Sequence, residues 1–216
     1  MKKIMILFVL LTLSSCVYLN CVPASGNVIS ETREIGPFDS IKVIGSADVF
    51  FSQGEASPLN IEGDDNVVAE VDTYLVGNTL VIESKECFTN HQPVKVSVSM
   101  KDIKSLQISG SSNMESVNEI NSDVVEIIIS GSGNVKLKGN VSKFITRISG
   151  SGKIHTYDLI TKTSDISISG SGKVELNVIE ELSVNIAGSG TVFYKGTPKV
   201  SQSVSGSGKI ESVEWN

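Results

Sequence analysis

Beyond residue 100 the chain keeps a two-residue rhythm. Ile166 and Ile168 alternate with Ser167 and Ser169, and a few residues on Val174, Leu176 and Val178 alternate with Lys173, Glu175 and Asn177. Apolar side chains at every second position make a strand with one buried face. The load of Val, Ile, Ser, Thr and Gly agrees with strand rather than helix. No stretch between residues 100 and 216 holds the three-and-four spacing of an amphipathic helix over a useful length.

The rhythm is punctuated by copies of one motif. It runs Ile-Ser-Gly-Ser-Ser-Asn-Met from Ile108, Ile-Ser-Gly-Ser-Gly-Asn-Val from Ile129, and Ile-Ser-Gly-Ser-Gly-Lys-Ile from Ile148. Further copies begin at Ile168, Ile186 and Val204. The first glycines are Gly110, Gly131, Gly150, Gly170, Gly188 and Gly206, with spacings of 21, 19, 20, 18 and 18 residues. The second glycines are Gly133, Gly152, Gly172, Gly190 and Gly208. A flexible linker would not hold this register.

A unit of this size cannot bury its apolar side alone and must stack on its neighbours. Hairpins of a sandwich do not require identical segments at constant spacing. Stacked coils do, because each segment lies on its own copy. The chain is therefore expected to be all-β, a right-handed parallel β-helix (a solenoid) of about 18–21 residues per coil. Ile129, Ile148, Ile168, Ile186 and Val204 should form one internal column. Both glycines of a unit share the inward parity, so Ser169, Ser171 and Lys173 should face outward.

The first half is less regular. Ser40 to Phe51 reads as a degenerate copy with Gly45-Ser46 at the glycine position. Asp64 to Val71 reads as a short helix or irregular turn, Tyr74 to Ile82 as two strands around Gly77-Asn78, and Val94 to Met100 as another alternating strand. Residues 28–100 are expected to supply an N-terminal cap and irregular first coils, continuous with the repeat coils of 101–216. Trp215 is placed to cover the open edge of the last coil, which a solenoid must hide.

The N-terminus has a different character. Lys2 and Lys3 precede an apolar run from Ile4 to Leu13, too short to span a bilayer and proportioned like a secretory h-region. Leu13-Ser14-Ser15-Cys16 follows, similar to a bacterial lipobox. The expectation is a signal peptide over 1–15, lipidation of Cys16, a tether over 16–27 and export to the bacterial envelope, anchored at the outer membrane on its periplasmic or outer side. An ordinary signal peptide cut near Val22-Pro23-Ala24 is the competing reading. Cys21 and Cys87 could pair in an oxidising compartment or stand as unrelated thiols. The formal charge of −6 carries no basic cluster, which excludes nucleic acid as an expected partner.

Candidate chemistry is sparse. The histidines are His91 and His155, no Gly-x-Ser-x-Gly elbow occurs, and Gly150-Ser151-Gly152-Lys153 lacks the Ser/Thr and glycine spacing of a phosphate loop. Asn134, Lys153, Lys173, Thr191 and Lys209 follow the glycines where a calcium roll needs aspartate. Asp64, Asp65, Asp102, Asp123, Asp158 and Asp165 read as occupying different phases of the repeat, which would keep them from converging. No enzyme activity, cofactor or metal is expected. The alternative is a polysaccharide-cleaving, pectinase-like β-helix enzyme. What recurs outwardly is Ser132, Ser151, Ser171, Ser189 and Ser207, interleaved with Lys153, Lys173 and Lys209. Stacked, these would make a hydroxyl and ammonium ladder able to meet anionic or hydroxylated polymers such as glycans, or a surface protein. The plainer reading is that serines serve the turns and lysines keep a flat sheet from aggregating.

The recurrent Ile-Ser-Gly-Ser-Gly motif resembles the bacterial family of auto-transporter adhesin, head GIN domains. The stretch Phe38 to Phe50, the run Gly77 to Ile82 and the lipoprotein-type leader are also similar to that family. The resemblance spans roughly residues 30 to 210. It implies an exported bacterial β-solenoid of a kind common in the Bacteroides group, with an adhesive role and no catalytic residues to carry over.

Overall fold

The computed structural model describes residues 21–85, 87–89 and 92–214. The signal peptide, Cys16, His91 and Trp215 lie outside the described residues.

The repeats stack as parallel coils. Ile120–Gly131 pairs in parallel with Ser105–Gly110 on one side and with Gly139–Gly150 on the other, and the pattern continues through Lys153–Gly170, Lys173–Gly188 and Lys199–Gly206. Gly45, Gly110, Gly131, Gly150, Gly170, Gly188 and Gly206 stand opposite one another on successive rungs. The six repeat units thus make five full turns from Gly110 to Gly206. After each bend a second strand lies on its own copies: Asn113–Ser116, Asn134–Lys136, the starts of Lys153–Gly170 and Lys173–Gly188, then Thr191–Lys195 and Lys209–Ser212.

The internal column forms as the alternation requires. Ile108, Ile129, Ile148, Ile168 and Ile186 are all buried. Val204 continues the column but is 42% exposed, because no described residue covers the last coil.

The two glycines of a unit do different jobs, and only the second has the inward role expected of both. Gly170 sits at the bend with φ +122, and a Cβ there would lie 2.5 Å from the Gly150 carbonyl oxygen of the neighbouring coil. The obstacle is thus backbone along the stack, not the core. A Cβ on Gly172 would instead meet Ile148 Cγ2 at 2.8 Å. The isoleucine of one coil leans into the space over the second glycine of the next.

The first half departs from simple succession. Ser40–Gly45 is a true coil segment, but it is sandwiched: Thr79–Ser84 pairs with it on one side and Ser105–Gly110 on the other. Ala47–Gln53 lies likewise between Val94–Met100 and Asn113–Ser116. The chain therefore lays down its second coil beneath its first, then crosses over residues 101–104 to begin the repeats above. Order in the stack and order along the chain therefore differ here. Gln53 fastens the crossing: its side chain donates to Lys101 O (3.1 Å) and Asn121 O (3.0 Å) and accepts from Asn121 N (2.6 Å). Lys104 adds an ion pair to Asp39 at 2.7 Å, and that hydrogen bond holds the Asp39 carboxyl below its usual range.

Below this bottom coil the strands turn antiparallel and cap the stack. Val71–Val76 forms a hairpin with Thr79–Ser84 around Gly77-Asn78, and Leu59–Asp64 pairs with both Val94–Met100 and Val28–Arg33. Asp65–Val68 is the short helix, burying Val67 and Val68. Arg33 ties the cap together, donating to Val68 O, Val71 O and Thr73 Oγ1.

The segment expected to be a tether is fixed from Cys21 onward. Cys21 and Cys87 form a disulfide, and Val22–Pro23 pairs in parallel with Phe88–Thr89. Ser25 and Asn27 bond to Asp65, and Asn66 donates to Pro23 O. A bridged cysteine makes those few exposed hydrogen bonds intramolecular neighbours, so they form where a free chain end would fray.

Candidate functional site

The repeated bend places the serines and lysines at adjacent positions. Ser132, Ser151, Ser171, Ser189 and Ser207 occupy the corner, side chains exposed. Their backbone N–H groups are spent on the stack: Ser151 N donates to Gly131 O (2.9 Å) and Ser171 N to Gly150 O (2.9 Å). Two residues later the chain starts its second strand, and there Asn113, Asn134, Lys153, Lys173, Thr191 and Lys209 share one register position. Lys153 and Lys209 are exposed and Lys173 half-buried.

The column changes character along the stack. Toward the cap it is an amide ladder: Asn134 Nδ2 donates to Asn113 Oδ1 (2.8 Å), and Asn113 Nδ2 to Asp48 Oδ1 (2.6 Å). Farther out it is cationic. The next outward column runs Glu115, Lys136, His155, Glu175, Phe193 and Glu211. Glu175 is its centre, accepting from Lys173 Nζ (2.5 Å) and lying 2.7 Å from His155 Nδ1. Burial pushes the Glu175 carboxyl up, but the hydrogen bonds from Lys173 and His155 outweigh it and hold it below the usual glutamate range. Lys173 Nζ also lies 5.1 Å from the Phe193 ring centre, and Lys195 Nζ 4.7 Å from that of Tyr157, both within cation–π range. Burial, then the Glu175 charge, raises the Tyr157 hydroxyl.

His155, Tyr157, Glu175, Phe193 and Lys195 are the residues that pattern reading missed. Their columns are not chemically repetitive, so no motif marks them. The signal that finds them is position: His155, Glu175 and Phe193 each stand two residues after the register position held by Lys153, Lys173 and Thr191.

A second feature lies around the coil. A cleft of about 850 Å³ opens beside the starts of Ile120–Gly131 and Gly139–Gly150, lined among others by Asp102, Asp123, Lys162, Val124, Ile160 and Ile179. Here the expectation about the carboxylates needs correction. Asp102 and Asp123 each stand eight residues before the first glycine of their unit, Gly110 and Gly131, so they share a phase and line one cleft. Asp165, in contrast, lies outside this cleft and pairs with Lys143 at 3.1 Å. Among the described residues no group of three or more His, Cys, Asp or Glu is placed to hold a metal ion. Among them also no helix is long and apolar enough to cross a membrane.

Comparison with known proteins agrees with this architecture. The chain superposes on the crystal structure of a "putative adhesin" from Bacteroides fragilis with a TM-score of 0.72 at 22% identity, covering 89% of this chain and 100% of that one. A "putative lipid binding protein" from Parabacteroides distasonis gives 0.61 at 24% identity, covering 89% and 99%. A "putative adhesin" from Parabacteroides merdae gives 0.56 at 21%, covering 89% and 99%. At these identities the likeness is one of fold. No curated protein matches the chain. A family model described as "Putative auto-transporter adhesin, head GIN domain" matches residues 37–198, from just before the sandwiched first coil to the threshold of the last one. The chain belongs to that adhesin head GIN domain family.

Proposed function

We propose that this protein is an exported, lipid-anchored, adhesin-like module of the bacterial envelope. Its outward face around Lys153, Lys173 and Lys209 takes an anionic or hydroxylated polymer, a glycan above all, or a surface protein bearing such groups. One observation carries the choice between a binding role for these lysines and a merely protective one. Lysine blunts sheets at their edges, yet Lys153 and Lys173 sit on interior rungs, paired on both sides. Of the three, only Lys209 lies on the open coil. Edge protection therefore does not account for the inner two. Phe193 beside Lys173, and Tyr157 beside Lys195, supply flat apolar surface for a sugar ring.

Cleavage of a polysaccharide is the second reading, favoured by the shared phase of Asp102 and Asp123 in the cleft. A paired-carboxylate mechanism needs one acid and one base held at a set separation. The soluble body, residues 21–216, should be screened against arrays of glycans and matrix proteins, with reducing ends assayed in parallel. Retention of acidic or hydroxyl-rich polymers without new reducing ends is expected, and release of reducing ends would favour cleavage.

Anchoring is tested separately in cells. Cys16→Ser should abolish incorporation of labelled fatty acid and move the protein out of the membrane fraction with its β-body folded. Stable attachment needs more than one acyl chain, and among the described residues no helix is long and apolar enough to span a bilayer. An unlabelled variant that stays membrane-bound would show another anchor at work. A soluble wild type starting near Ser25 would show an ordinary signal peptide.

A further inference from the structure

The Cys21–Cys87 disulfide does more than brace the cap. We propose that it gives the anchored body a direction: with the bridge closed, the cap end must stay within the leash's reach of the lipid surface, so the body cannot stand on its last coil with the cap turned away. This rests on the lipidation of Cys16.

The argument is one of lengths. Cys87 lies between Thr79–Ser84 and Val94–Met100, on the coil next to the cap. From that coil to the Gly206 rung the stack climbs through Gly45, Gly110, Gly131, Gly150, Gly170 and Gly188. Seven steps at about 4.8 Å put the last coil about 34 Å away. The chain from Cys16 to Cys21 is five links, at most about 18 Å fully extended. That leash reaches the cap and falls short of the last coil by about half its height.

Opening the bridge changes the comparison. Residues 22–27 are then held by a two-residue strand, by Ala24 packed at the margin of the core, and by hydrogen bonds to Asp65, Asn66 and Thr89. Exposed contacts of this kind fray. The first robust hold becomes Val28–Arg33, paired along its whole length with Leu59–Asp64. Twelve links from Cys16 to Val28 span up to about 40 Å, more than the height of the stack. The body could then also present its far end to the surface.

The experiment uses the full lipidated protein reconstituted into phosphatidylethanolamine and phosphatidylglycerol vesicles that carry a lipid-bound acceptor dye. A donor is attached through an introduced azido side chain at Asn78, in the cap hairpin, or at Ser207, on the last coil, leaving the cysteines native. With the bridge closed, the allowed poses run from upright on the cap to lying on one side, so energy transfer averaged over them should be greater from position 78 than from position 207. Reduction with dithiothreitol, and the Cys21→Ser/Cys87→Ser double variant, should each bring the ratio toward one while the far-ultraviolet β signal stays unchanged. Equal transfer from both positions with the bridge closed would overturn the proposal, as would a ratio that survives both treatments. Loss of the β signal on reduction would also overturn it, making the bridge a brace of the whole cap. If the protein carries no fatty acid and does not float with the vesicles, the anchor has failed, and the directional role falls with it.

Discussion

Gly170→Val should cost the protein roughly 3 kcal/mol or more, a large share of the stability of a typical domain. Two penalties act together. The native φ of +122 is a region that a β-branched side chain almost never enters. The new Cβ would also lie 2.5 Å from the Gly150 carbonyl oxygen, which is backbone held in the stack and cannot swing aside. That oxygen already accepts from Ser171 N, so pushing it away breaks a rung as well. Ser171→Ala, one residue on, removes only an exposed hydroxyl and should shift stability by less than about 0.5 kcal/mol. Chemical denaturation of the two variants beside wild type measures the difference. Equal midpoints would mean that the bend is not built as described.

Phe51→Ala should be the second severe change, at about 3–5 kcal/mol. Phe51 is fully buried in the coil that the fold inserts between Val94–Met100 and the repeats. The cavity would open at the junction of cap and repeats, where neither side can collapse without giving up rungs to the other. Val204→Ala on the last coil removes two methyl groups from a side chain that is already 42% exposed, and should cost less than about 1 kcal/mol. The contrast distinguishes the inserted coil from a peripheral one. If Phe51→Ala proved as mild as Val204→Ala, residues 40–53 would not be interior.

The repeats were legible because each one solves the same local problem. The Ile-Ser-Gly-Ser-Gly segment must lie on its own copy, so its spacing alone predicts parallel rungs and the isoleucine column. The degenerate copy at Gly45-Ser46 was legible for the same reason. Its level in the stack was not. Nothing in residues 40–53 states that residues 79–100 will slide beneath them, since that order depends on which edges remain free once the Gly77-Asn78 hairpin and the antiparallel cap have formed. Cys21 and Cys87 lie 66 residues apart and show no local sign of meeting. The cleft carboxylates could have been phased by counting back to Gly110 and Gly131. The cluster around Glu175 could not, because Lys173, His155 and Phe193 come from three successive units and only stacking makes them neighbours.

The binding role of this face is tested most directly by charge reversal on the glycan array. Lys153→Glu, Lys173→Gln and Lys209→Glu together leave the internal column and the glycine bends untouched, and the glutamine keeps a hydrogen-bond donor beside Glu175, so the melting curve should stay close to that of wild type. Binding of acidic glycans should fall at least about tenfold, by loss of attraction and gain of repulsion. Wild-type binding should itself weaken as salt is raised from 50 to 500 mM, as screening requires. A folded triple variant that binds as tightly as wild type, with the same indifference to salt, would contradict the account and move the search to the cleft lined by Asp102 and Asp123.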